Sequence, residues 1–137
     1  MTVKRYNELK EICRTQKFEG IEYVFGDKQF KEYLERNGYT EADIESGLLV
    51  GDGCGGIGTR EAFAKRHEFY NQIDEKIKAE CKPEDIFESE WWNHECGLTY
   101  SYSTPLHLTQ CYFPDYKPSA KLLNKLQKQF ILLQVKN

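Results

Sequence analysis

The chain has 137 residues, the size of one ordinary domain, and can bury enough surface to fold without metal or disulfide staples. Nineteen Lys and Arg against 22 Asp and Glu give a formal net charge of −3, and 30% charged, 39% hydrophobic and 14% aromatic residues are a globular composition, not that of a disordered or collagenous chain. No apolar run approaches the roughly 18 residues of a membrane span, and charges within the first ten residues interrupt what a signal peptide would need. A cytosolic protein without membrane contact is therefore expected. The cysteines, Cys13, Cys54, Cys81, Cys96 and Cys111, are odd in number and contain no C-x-x-C pair, so reduced thiols are expected, with no metal and no other cofactor.

Val3, Tyr6, Leu9 and Ile12 recur at helical spacing and predict a helix over 2–14. The β-branched and aromatic run from Ile21 to Phe25 predicts a strand. Asp27 is placed to cap the next helix, whose apolar face carries Phe30, Tyr33 and Leu34 and which Gly38 stops. Thr40 opens a brief helical turn. Leu48 to Val50 and Ile57 then flank the glycine-dense stretch 51–56 as the arms of a hairpin with a wide loop.

Thr59 caps the longest predicted helix, 60–81, with Phe63, Tyr70, Ile73 and Ile77 on its core side. Pro83 suits the first position of another helix running to Cys96, with Gly97 as its stop. Residues 98–103 alternate like an extended segment, and a short helix at 105–110 follows. The last helix begins near Pro118. Leu122, Leu123, Leu126, Phe130 and Leu133 share one face, while Ile131, Leu132 and Val135 lie off it and must be buried or find a partner. The expected architecture is a single α+β domain over 1–137, with four or five helices packed on a small antiparallel sheet.

Gly51, Gly53 and Gly56 spell G-x-G-x-x-G, the pattern that brings backbone N–H groups to a pyrophosphate at a helix start. No long strand precedes it and Ile57-Gly58 separate it from the next helix, so hairpin geometry is favoured over phosphate binding. His67 and His94 lie in predicted helices and, with Glu90, Glu95 or Cys96, contain the residue types of a metal or acid–base site. Their spacing is no ligand signature. His94 shares a face with Ile86, Phe87 and Glu90, which favours an imidazole held by its i−4 carboxylate. Cys96 and His94, two residues apart, point in divergent directions and make a poor nucleophile pair.

The segment 84–95 carries Glu84, Asp85, Glu88, Glu90 and Glu95 and no Lys or Arg. Glu84, Glu88 and Glu95 fall on one stripe with Trp91 and Trp92 on its shoulders, so at least one Trp should reach the surface. Glu84, Glu88, Trp91, Trp92 and Glu95 are accordingly the expected partner-binding residues, Trp as desolvated anchors and carboxylates to steer a basic partner. From Lys117 onward the chain has five lysines and no acid. The acidic whole argues against direct nucleic-acid contact.

Tyr6 to Leu9, Phe25 with Gln29 and Phe30, the glycine-rich stretch before Thr59 and Arg60, Arg66 with His67, and Asn93, His94 and Glu95 before Thr99 and Tyr100 form one set of motifs. Between Phe18 and Tyr100 the sequence resembles an uncharacterised family of small phage and mobile-element proteins of gut bacteria. Cys96 departs from the pattern, which has an aromatic there. The resemblance implies an acidic α+β protein of the host bacterial cytoplasm, similar to anti-CRISPR inhibitors of RNA-guided nucleases. With the acidic helix it leads to one expectation, a non-enzymatic inhibitor of a host defence nuclease. Two alternatives stand beside it: a small metal-dependent or acid–base hydrolase using His67 and His94, and an oligomerising accessory protein, a homodimer through the C-terminal helix.

Overall fold

The computed structural model describes residues 2–97 and 101–136. These form seven helices and three short strands, an α+β arrangement. In chain order they are α1 (Thr2–Thr15), β1 (Ile21–Tyr23), α2 (Asp27–Asn37), α3 (Glu41–Glu45), β2 (Leu49–Gly51), β3 (Gly56–Thr59), α4 (Arg60–Glu80), α5 (Pro83–Asn93), α6 (Ser103–Gln110) and α7 (Ala120–Lys136). The count exceeds the expected four or five because the two short helical segments, the turn opened by Thr40 and the helix expected at 105–110, are full elements beside the five longer ones. The chain divides into two compact units, a sheet unit, Gln16–Asn71, and a helical unit, Met1–Thr15 with Gln72–Asn137.

In the sheet unit the strand order is β1-β3-β2, antiparallel throughout, with Ile21 opposite Gly58 and Val50 opposite Gly58 on the other edge. Gly58 is required there, because a Cβ would lie 2.3 Å from the carbonyl oxygen of Gly20. Tyr33, Leu49 and Ile57 form the buried cluster, with Val24, Phe30, Leu34 and Tyr39 packed around it. Gly26, not Asp27, is the residue before α2, and Asp27 begins the helix itself, where its charge suits the positive end. Gly38 ends α2 with φ 72°, the left-handed stop expected.

The glycine-dense stretch is the loop of the β2–β3 hairpin, and its own carboxylate organises it. Asp52 accepts hydrogen bonds from the N–H groups of Cys54 (2.7 Å) and Gly56 (3.0 Å) and pairs with Arg66 at 3.6 Å. Those amides, with the guanidinium, hold the Asp52 carboxyl below the usual carboxylate range. The amides a bound phosphate would use thus already face a carboxylate.

Thr59 caps α4 as expected, its Oγ1 accepting the Ala62 N–H at 3.1 Å. Along α4, Ile73 and Ile77 are buried, but Phe63 is half-buried under the Arg66 guanidinium and Tyr70 is exposed, its ring edge-on to Phe18. In the helical unit, Phe87, Trp91, Cys96 and Leu126 form the buried cluster, flanked by Trp92, Leu106, Tyr116, Leu122 and Leu123. Of the extended segment expected at 98–103, residues 98–100 lie outside the described residues, and Ser103 already belongs to α6.

Candidate functional site

Helix α5 begins with Pro83, whose missing N–H costs nothing at that position, and places Glu84 and Asp85 in its first turn. Ile86, Phe87, Ser89, Glu90 and Trp91 are buried, packed against α6 and α1. Polar contacts also join α5 to α1. The Tyr6 hydroxyl donates to Glu90 Oε1 at 2.5 Å, and the Ser89 hydroxyl donates to Asn7 Oδ1 at 2.5 Å. Burial, reinforced by the Glu90 carboxylate, pushes the Tyr6 hydroxyl far above its ordinary pKa, so it remains a donor.

Glu90 therefore spends one oxygen on Tyr6, while its other oxygen lies 3.4 Å from His94 Nε2. This is the i−4 pairing expected of His94, although the imidazole is 43% exposed rather than packed away. Helix α5 stops sooner than the expected Cys96, because His94 is its C-cap and Glu95 takes a left-handed φ of 50°. Cys96 is buried, its thiol directed at the Ser101 carbonyl, and burial pushes the thiol pKa up, away from nucleophilic thiolate character. His67 is exposed on the part of α4 that belongs to the sheet unit, whereas His94 belongs to the helical unit. Among the described residues no three His, Cys, Asp or Glu side chains are grouped as a metal would require.

The expected binding residues divide accordingly. Trp91 is 1% exposed, so it is a core residue and leaves the contact list. Although a helical projection puts it near Glu84, residues of α6 and α7 cover α5 at Trp91, whose indole packs with Phe87 and Leu126 beside Leu106 and Leu123. Glu95 also leaves the stripe, because the helix ends before it and its backbone turns away. Glu84, Glu88 and Trp92 remain together, within about 80° of one another around the axis. Glu84 is exposed, and Glu88 and Trp92 are half-buried.

Beyond Trp92 the open surface continues onto α7. Trp92, Gln129, Leu132, Leu133 and Lys136 line a groove of about 290 Å³. Ile131, Leu132, Leu133 and Val135 are exposed, Leu132 at 58% and Val135 at 79%, so the apolar last turns of α7 remain uncovered among the described residues. Earlier in the helix, Leu126 is buried and Phe130 packs beside Gly97, where a Cβ would lie 2.6 Å from the Phe130 ring. Spacing alone missed the Tyr6–Glu90, Asn7–Ser89 and Gly97–Phe130 contacts, because each joins residues far apart in the chain. The available signal was local: polar Asn7 and Ser89 each sit beside a residue of an apolar helical face.

No helix among the described residues is long and apolar enough to cross a membrane. A search of curated proteins finds no match, and a search of solved structures finds none either. Residues 5–131 match the model of a family of unknown function, DUF7659, and the chain belongs to that family.

Proposed function

We propose that the chain is a non-enzymatic protein-binding inhibitor whose contact face is the open side of α5, Glu84, Glu88 and Trp92. The observation that supports it most is the combination on this face of two carboxylates with a half-buried indole, on a helix without Lys or Arg. Trp supplies contact area at little conformational cost, and carboxylates speed encounter with a basic surface. The partner class this fits is a host defence nuclease, whose nucleic-acid channel is lined with cations and would accept an acidic protein in place of a phosphate backbone. The resemblance to phage and mobile-element proteins supports the same assignment and a site of action in the bacterial cytoplasm.

The test is capture from host lysate with the wild-type chain and with Glu84→Gln/Glu88→Gln. A nuclease retained by the wild type, with an on-rate that falls steeply with salt and is lowered in the double variant, is the expected result. Glu95→Gln serves as the control and should bind as the wild type does. Equal binding by the double variant at low and high salt overturns the assignment of the face, and the failure to retain any nuclease overturns the assignment of the partner.

A further inference from the structure

Helices α5 and α7 carry opposite charges on neighbouring open faces. Helix α7 has Lys121, Lys125, Lys128 and Lys136 and no carboxylate, and α5 has carboxylates and no base. At 100° per residue, Lys121, Lys125, Lys128, Leu132 and Val135 fall within about 80° on the side of α7 opposite buried Leu126. Lysine occupies the first half of that stripe and apolar residues the second. The stripe on α5 reads Glu84, Glu88, Trp92, again charge first and apolar last.

The two helices also run in the same sense. Tyr116, just before α7, packs against Phe87 in the first half of α5, their ring centroids 6.0 Å apart, while Trp92 at the end of α5 shares a groove with Leu132 and Leu133. Along the axes, Glu84 to Trp92 spans about 12 Å and Lys125 to Leu132 about 10 Å, so acid lies level with lysine and indole level with leucine. No ion pair between Glu84 or Glu88 and an α7 lysine forms within the chain among the described residues.

We infer that the occupant of this surface, in the absence of another partner, is a second copy of the chain. A two-fold axis parallel to the helices sets α5 of one protomer beside α7 of its partner and the reverse, an isologous contact in which every pairing occurs twice. The matched stripes then meet in register, lysine on glutamate and Leu132 against Trp92. Pairing α7 with α7 instead sets lysine against lysine, like charge on like charge across the contact. The inference rests on the assignment of the α5 face as a docking surface for lysine, and it implies that dimer formation and capture of an outside basic partner exclude each other.

Sedimentation velocity across a concentration series tests it. The wild-type chain should be a reversible dimer that weakens with salt. Glu84→Lys/Glu88→Lys and Lys125→Glu/Lys128→Glu should each raise the dissociation constant on the order of 100-fold while keeping the helical circular dichroism of the parent. Mixing the two variants should restore a dimer, because in the mixed pair both contacts regain opposite charges. A wild-type chain that stays monomeric up to its solubility limit, a dimer that survives both reversals, or a mixture that stays monomeric overturns the second-copy inference. The acidic face itself is judged separately by the salt-dependent capture experiment, which a monomeric chain passes or fails independently.

Discussion

The helical unit and the sheet unit hold themselves together by different means. The largest fully buried side chains, among them Trp91, Tyr6, Phe87, Leu9, Ile77, Ile86 and Leu126, all belong to the helical unit. The sheet unit has a smaller cluster around Tyr33, Leu49 and Ile57, leaves Tyr23 and Phe25 exposed, and relies on close backbone approach at Gly58 and on the Asp52 loop. Burial of large apolar groups is worth more than any single hydrogen bond. A core of that kind tolerates little truncation, whereas a thin sheet opens locally at lower cost.

The largest effect expected from this contrast is that of Trp91→Ala. It removes a fully buried indole and should cost about 3–5 kcal/mol, read as a lowered denaturant midpoint. Tyr33→Ala, in the smaller cluster of the sheet unit, should cost less because a smaller side chain is removed from among fewer buried neighbours. An equal loss in the two variants would break the comparison.

Tyr6→Phe tests the polar seam of the helical unit. It leaves the ring packed but strips Glu90 of its hydroxyl donor, so a buried carboxylate loses a partner at a cost of about 1–3 kcal/mol. In the wild type the Tyr6 pKa is raised, so the stability it lends is fully present below about pH 10 and fades as alkali ionises the unfolded chain. The variant should lack that alkaline component. Urea midpoints on either side of about pH 10 check this, and identical pH profiles would place the seam's stabilisation elsewhere.

Much of the local structure was legible because local signals agree with the fold. Thr59 before an amphipathic run marks the start of α4, Gly38 marks the end of α2, and Leu49 to Thr59 carries the residues of a hairpin with a wide loop. The proposed contact face is only partly legible. Periodicity places Glu84, Glu88 and Trp92 together, but it treats a helix as an isolated cylinder, so it cannot tell that α6 and α7 enclose Trp91. It also extends α5 to Cys96, because the residues after Asn93 are compatible with a helix, whereas Glu95 takes a left-handed φ of 50° beside buried Cys96 and Gly97. The buried Tyr6–Glu90 pair, 84 residues apart, leaves no periodic trace.

The smallest effect, and the one confined to the sheet unit, belongs to Asp52. Its carboxyl titrates below the ordinary value because ionisation is favoured by the Cys54 and Gly56 N–H groups and then by Arg66. A depressed carboxylate pKa lends stability that is fully present above the ordinary value near 4 and is lost as pH falls through the folded value. Below that point the protonated carboxyl accepts the two amides weakly, and the hairpin loop should loosen while the helical unit, whose core holds no part of this network, stays formed. Amide chemical shifts followed from about pH 6 to about pH 2 should show Gly56 and Cys54 titrating below the ordinary carboxylate range while α5 amides near Phe87 do not follow. Asp52→Asn, which keeps an acceptor oxygen but no charge, should flatten that titration and leave the denaturant midpoint of the helical unit where it was. Loss of both units together at the Asp52 midpoint would mean that they fold as one cooperative whole, and the contrast between a thick core and a thin sheet would then describe packing alone.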